Sequence, residues 1–474
     1  MLPRNLTIIC IAFVISMACH TLQQRTKTAL VIGEALSLID RYYVEPVDDR
    51  ELVLAALSGM TSKLDQHSEF IPPVAYDAFR DSIHQEFAGI GIYVDQPDPK
   101  GPVRVITPLV GSPALAAGVL PGDEIIEVDG KGVTTLDIRE VSDQLRGPVG
   151  TEVALTLRRG DEEIETKITR ASIQMESVIG DHRDENNAWV YRLEDHPRVA
   201  YVRLTSFGDR TVGDLERILK ELDNDFDALV LDLRGNGGGL LHAAVAVADM
   251  FLDAGKIVST KTRGGVLEEV NVATPGTLVD KNIPMAILID HDSASASEIV
   301  AAALQDHGRV MVGGTRSFGK GTVQNVLPLE YGRSALKLTV AKYFRPSDEN
   351  IHRGKDDDEN DVWGVTPDAG LTVEMEPENL QRLMLLWQAA SYPSLKGIER
   401  GGLFPNTAAD DASETAGSDP ATEDGAAVDT IWDLDGPLVR VVEHMLPQTG
   451  DGKPNHPPEE DEVPASESAG SAGR

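Results

Sequence analysis

The sequence predicts a multidomain protein of mixed α/β and β class, with a helical N-terminal domain, a small β module and an α/β core. Three observations predict it. Apolar residues recur at helical spacing from Ala29 to Leu64. From Phe87 the texture changes to short alternating strands punctuated by glycine: FAGIGIYV, VRVITPL, EIIEVDG and EVALTLRRG. After Arg198 apolar strands alternate with helices, and ALVLDL and MAILID are apolar on both faces, as strands covered by helices on each side must be. A chain of 474 residues with 41% hydrophobic content is long enough to give each part a core.

Residues 1–22 contain LTIICIAFVISMA, an apolar run over residues 6–18 that is short for a membrane span and of signal-peptide length. The segment predicts export, to the periplasm or the outer face of the cytoplasmic membrane, with an uncleaved tether as the other reading. Both cysteines, Cys10 and Cys19, lie there, so a processed chain would form no disulfide and neither thiol is a credible catalyst. Residues 23–85 form the helical domain, where Pro46 and the Asp pair of YYVEPVDDREL end one helix and cap a second. Residues 86–172 are the β module and residues 173–395 the core. Residues 396–474 turn to Gly, Ala, Ser, Asp and Glu, and predict a largely disordered tail with one helix over 429–446. The net charge of −34 owes much to this tail, where residues 401–474 hold 16 acidic and 3 basic side chains. Such a balance argues against nucleic acid as a partner, since phosphates need clustered Lys and Arg.

Chemistry is sought in the core. DHDSASASEIVAAAL, Asp290 to Leu304, sets serines on alternate positions before a helix. Ser295 and Glu298 have the spacing of a capping box, which satisfies free N–H groups at a helix start. A nucleophilic serine there would need a base and N–H donors for an oxyanion. The first turn of the helix, beginning with the Ala296 N–H, offers one donor. The run RGNGGG, Arg234 to Gly239, offers another; it lacks the third glycine of a dinucleotide loop and the Gly-Lys-Ser/Thr of a phosphate loop, and it also reads as a tight strand-to-helix turn.

For the base, His242, His291 and His307 have no carboxylate at a telling offset, G-x-S-x-G is absent, and the eleven histidines show no metal spacing, so no zinc is expected, and acyl transfer through a serine would need no metal or organic cofactor. Lys320 in TRSFGKGTVQ remains, between Gly319 and Gly321. It acts as a base only if desolvation lowers a pKa that is ordinarily about 10.4. Gln324, four residues on, could hold the amine without adding charge. A Gly-Lys-Gly also reads as a surface turn.

Taken together, DSASASE, then Lys320 25 residues after Ser295, and Gln324 in GKGTVQ resemble the Ser/Lys site of the carboxyl-terminal processing, or tail-specific, proteases. LVLDLRGNGGGLL resembles that family's strand and glycine turn, IDRYYVEPVDDRELVLAALSGMTSKLDQHSEFIPP its N-terminal helical signature, and GVTPD the close of its catalytic domain. FAGIGIYV and GSPALAAGVLPGDEIIEVDG are similar to a PDZ module. The resemblance spans roughly residues 30 to 390 in the family's order. It implies a crotonase/Clp-protease-like core, with Ser295 as nucleophile, Lys320 as base, Gln324 as its orienting partner, and the N–H groups of Ala296 and Gly238 as oxyanion hole. Proline often replaces Gly237 in the family, which favours Gly238. Gly89, Ile90, Gly91 and Ile92 match the PDZ carboxylate-binding loop.

The resemblance thus implies an exported serine endopeptidase that binds the free, apolar C-terminus of a protein substrate and cleaves upstream through an acyl-enzyme. Two rivals differ in class: a non-catalytic PDZ scaffold on the same fold, and an amidase of small amides. The sequence leaves open a homo-oligomer, and the acidic tail has no counterpart in the family pattern.

Overall fold

Pro46 closes off the helix over residues 30–42, and Asp48 starts the next by accepting the Arg50 N–H at 2.7 Å, which opens α1 (Asp49–Thr61). This is a computed structural model that describes residues 30–330, 332–354, 356–358, 360–393 and 431–446. The predicted signal peptide or tether therefore lies outside the described residues. Among those described, no helix is long and apolar enough to cross a membrane. After α1 come a short strand, β1 (Glu69–Ile71), and α2 (Pro73–His84). β1 leaves the helical domain: it pairs antiparallel with a distant core strand, Glu69 opposite Lys337 and Phe70 opposite Leu336, and buries Phe70 and Ile71.

The β module comprises β2 (Glu86–Gly89), β3 (Ile92–Asp95), β4 (Val103–Pro108), β5 (Glu124–Val128), α3 (Ile138–Leu145), β6 (Glu152–Arg159), β7 (Glu162–Thr169) and β8 (Ala171–Gln174). Alternation along β6 turns Val153, Leu155 and Leu157 inward, onto Val103, Val105, Ile125 and Val141. β3 to β7 lie in that order in one antiparallel sheet, and β2 pairs with β8 from Glu86↔Gln174 to Gly89↔Ala171, so the two ends of the module meet. β3 is an edge strand, hydrogen-bonded to β4 alone among the described residues.

The core continues with β9 (Val178–Ile179), β10 (Val199–Leu204), α4 (Thr211–Leu222), β11 (Ala228–Asp232), α5 (Leu241–Asp249), β12 (Lys256–Thr262) and β13 (Leu267–Val272). It is completed by β14 (Met285–Ile289), α6 (Ala296–Asp306), β15 (Met311–Gly314), β16 (Thr322–Leu329), β17 (Ser334–Phe344), α7 (Pro377–Ser391) and α8 (Gly436–Met445). The central sheet runs β9-β10-β11-β14-β15, with the last four strands parallel. Every residue of β11 and β14 is buried, as strands without polar alternation require. On one face Leu229, Leu231, Ile287 and Ile289 share a core with residues of α4, α5 and α6. A second sheet places β16 along one edge of β17, with β1 and β12 on the other.

The opposite face of the central sheet, through Ala228, Val230, Ala286 and Leu288, is covered by Leu438, Val441, Val442 and Met445 of α8. The sequence predicts a helix here, over 429–446, but within a solvated acidic tail spanning 396–474; it is instead a structural layer. Residues 394–430 and 447–474 lie outside the described residues. Two features fasten α8. Gly313 of β15 has no side chain because a Cβ there would run into Val441. Asp435, the N-cap, accepts the Leu438 N–H at 3.0 Å and takes the Arg234 guanidinium in two bonds of 2.7 Å. Arg234 also pairs with Asp232 at 2.6 Å, and all three are buried. A buried charge is tolerated when it is fully paired, as here.

Candidate active site

The three alternate serines do different jobs. Ser293 Oγ donates to Leu233 O at 2.9 Å and accepts the Asp290 N–H at 2.9 Å. Ser297 Oγ donates to Asn236 O at 2.8 Å. Both sew the turn after β14 onto the glycine run after β11. Ser295, between them, is held at φ +56° and ψ −109°, a conformation that residues with a Cβ rarely adopt. Such a strained strand-to-helix turn thrusts a side chain forward at a helix N-terminus, as nucleophile elbows do. The Tyr343 phenol lies near the Ser295 side chain, and burial pushes that phenol's pKa up to about 12, against the pull of the serine.

Glu298 does more than cap. Its buried carboxylate accepts the Ser295 N–H at 2.8 Å and the Lys320 N–H at 2.9 Å on the same oxygen, Oε2. Oε1 takes Ser317 Oγ and the Gly319 N–H, each at 2.6 Å. Burial pushes the Glu298 pKa up, against these four donors. One carboxylate thus ties the serine turn to the lysine turn, so their backbone nitrogens are no further apart than two hydrogen bonds end to end. Tyr343, whose phenol lies near Ser295, also holds the lysine turn, its N–H donating to Gly321 O at 2.9 Å.

Lys320 is not on a free surface turn. Gly319, at φ +84°, would place a Cβ 2.8 Å from Arg353 Cβ and 2.9 Å from the Trp363 ring, and a Cβ at Gly321 would collide with the His352 backbone. The amine is half-buried and, among the described residues, forms no ion pair. Burial, helped by the nearby Lys337 charge and opposed by Glu298 and Glu69, holds its pKa below the usual lysine value. A lowered amine pKa is the electrostatic requirement that a Ser/Lys pair places on its lysine.

The remaining expected residues fall out unevenly. Gln324 Nε2 donates to Thr322 Oγ1 at 2.8 Å and Thr339 Oγ1 at 3.2 Å, so the amide is anchored by threonines. The Ala296 N–H opens α6 and is among the donors a helix start leaves without an intrahelical partner. The Gly238 N–H is already engaged, donating to Asn236 Oδ1 at 2.9 Å, which amends its expected part in the oxyanion hole. What Gly238 supplies here is room: at φ +100°, a Cβ would lie 2.9 Å from Ser295 Cβ and 2.7 Å from Ala294 O. Gly238→Ala is expected to lower kcat by more than about tenfold by displacing the serine turn, with circular dichroism unchanged; unaltered kcat would show that this close approach does not matter.

In the β module, Gly89 ends β2 opposite Ala171 and Ile92 opens β3 opposite Pro108, leaving Ile90 and Gly91 as the loop proper. Their carbonyls accept the Ala114 and Leu109 N–H groups at 3.0 Å, so N–H donors are what this loop can offer a ligand. Gly91, at φ +76°, would place a Cβ 2.5 Å from Ser112 Cβ. Among the described residues, no three His, Cys, Asp or Glu side chains converge as metal ligands do. Glu298 and Tyr343 were not assigned to this site from the sequence. Only Glu298 left a signal there, in its capping-box spacing.

The α/β core and the module before it are those of a peptidase that carries a PDZ domain. The profile of peptidase family S41 matches residues 198–370, and a PDZ domain profile matches residues 104–159. A carboxy-terminal-processing protease of Bartonella bacilliformis is 38% identical over 361 residues, covering 74% of this chain and 77% of that one. The carboxy-terminal processing protease CtpA of Bacillus subtilis is 35% identical over 326 residues, covering 68% and 66%. Among solved structures, the photosystem II D1 C-terminal processing protease shares 28% identity, covers 74% of this chain and 95% of that chain, and has a TM-score of 0.41. The chain belongs to the carboxy-terminal processing proteases of peptidase family S41.

Proposed function

We propose that this protein is an exported serine endopeptidase that captures the free C-terminus of a protein substrate at its PDZ module and cleaves upstream with Ser295 and Lys320. The observation that carries the reading is the Glu298 carboxylate bound to the backbone of both residues. Neutral Lys320 takes the Ser295 Oγ proton as Oγ attacks the scissile carbonyl, and the Ala296 N–H receives the developing oxyanion. The Gly238 N–H joins it once it leaves Asn236. The tetrahedral intermediate collapses with the Lys320 proton passing to the leaving amine, and a water activated by Lys320 then hydrolyses the acyl-enzyme.

A tail would enter beside the open edge of β3 as an added strand, its carboxylate met by the loop Ile90–Gly91. An apolar end suits the groove, since Ile92 and Leu145 belong to the module's apolar cluster. The test uses an unfolded reporter protein with an apolar C-terminus, read by intact mass. Wild type is expected to cleave it, and to lose that cleavage when the terminus is amidated or made acidic; Ser295→Ala is expected to bind it without cutting. Binding without cleavage by both proteins would support a scaffold, and cleavage indifferent to the terminus would remove the tail-capture step.

A further inference from the structure

Gln324 faces Thr339 across a break in strand register. Between Val323↔Ala341 and Gln324↔Thr339 the pairing of β16 and β17 skips Val340. Such bulges re-aim side chains beside active sites. The Gln324 amide nitrogen has two N–H donors, and the hydroxyls of Thr322 and Thr339 accept both. What the amide has left to offer Lys320 is Oε1, an acceptor, and a lysine amine has N–H to donate in either protonation state.

We infer that Asp65, from the N-terminal domain, is a positioning residue for this site, acting through Thr339 to fix which way the Gln324 amide faces. Thr339 Oγ1 donates to Asp65 Oδ1 at 3.0 Å. A hydroxyl has one proton, so giving it to Asp65 commits the Thr339 oxygen to accept from Gln324, and reversal of the amide would set oxygen against oxygen. Asp65 is itself fixed by the His67 N–H at 2.9 Å and Ser68 Oγ at 2.8 Å. Burial pushes its pKa up, but these bonds and that of Thr339 prevail and hold the carboxylate below its usual range, so it accepts rather than donates. The strand carrying Thr339 is pinned to the same loop by the Thr339 N–H on Ser68 Oγ at 3.0 Å and by Lys337 on Glu69 at 2.8 Å. The N-terminal domain thereby completes the site rather than merely preceding it.

This inference rests on Gln324 serving Lys320, and its test separates the two. Turnover of the reporter is measured for Thr339→Val, Thr339→Ser and Asp65→Ala, each alone and with Gln324→Ala, after thermal unfolding has shown which variants fold. Thr339→Val is expected to lower kcat about tenfold, as expected for directly bonded neighbours, with KM nearly unchanged and with recovery in Thr339→Ser. In the Gln324→Ala background the same change should add nothing. A loss that adds fully to that of Gln324→Ala, or wild-type turnover by Thr339→Val, overturns the relay. Asp65→Ala, which removes the acceptor of the Thr339 proton, gives the same comparison if Thr339→Val does not fold. Lys320→Ala with wild-type turnover would overturn the dyad instead, whereas an inactive Lys320→Ala beside an additive cycle would overturn the relay alone.

Discussion

Lys320→Arg is expected to reduce cleavage by at least about a hundredfold, since a guanidinium does not deprotonate in proteins and so cannot accept the serine proton. The sign of the pH dependence follows from the same amine. It works only when neutral, so the rate is full above its folded-state pKa and falls as pH falls through it. Burial and the Lys337 charge hold that pKa below the ordinary lysine value, which moves the acidic limb toward neutrality. Lys337→Met removes the like charge and frees Glu69 from its 2.8 Å ion pair, and both changes raise the Lys320 pKa. The limb should therefore shift to higher pH in kcat against pH profiles. An active Lys320→Arg enzyme, with a limb that Lys337→Met leaves in place, would remove Lys320 as the base. Stability gives an independent reading: an amine depressed by folding weakens the fold below its ordinary pKa, where the unfolded chain would be protonated. Lys320→Met should accordingly melt at a higher temperature at neutral pH while being inactive.

A chain ending at residue 430 is expected to lose cooperative folding altogether. It lacks Leu438, Val441, Val442 and Met445, which cover one face of β11 and β14. At about 1.5–3 kcal/mol for each buried side chain, their loss approaches the whole stability of a typical domain, about 5–15 kcal/mol. Arg234 would also lose Asp435, one of its two buried carboxylates. The point substitution Asp435→Ala should be milder, lowering stability by about 3 kcal/mol in denaturant titrations, because Asp232 still pairs with the guanidinium. A truncated chain that melts at the wild-type temperature would show that α8 is a dispensable appendage.

Legibility from the sequence followed the range of each interaction. The strands ALVLDL and MAILID could be read because burial on both faces leaves its mark on every residue of the strand. The Asp48 cap could be read because a cap acts within a few residues. β1 could not: its three residues become a strand only by pairing with Leu336 and its neighbours, about 270 positions away. The segment around α8 has acidic, loop-like composition on both sides, and nothing local states that its apolar stripe meets Val230 and Leu288.

The site divides the same way. By itself the sequence determined the candidates, because a serine before a helix, a glycine-flanked lysine and a nearby glutamine are local patterns of residue type and spacing. The resemblance already singled out Ser295 among the three serines; what only the tertiary structure adds is that Ser293 and Ser297 are occupied by Leu233 and Asn236, far away in the chain, and that Ser295 sits in a strained turn. The tertiary structure also decided that Glu298 spans both turns and that Lys320 is desolvated enough to lower its pKa. Strain, burial and shared hydrogen bonds are properties of what surrounds a residue in space, and neighbours in sequence carry no record of them.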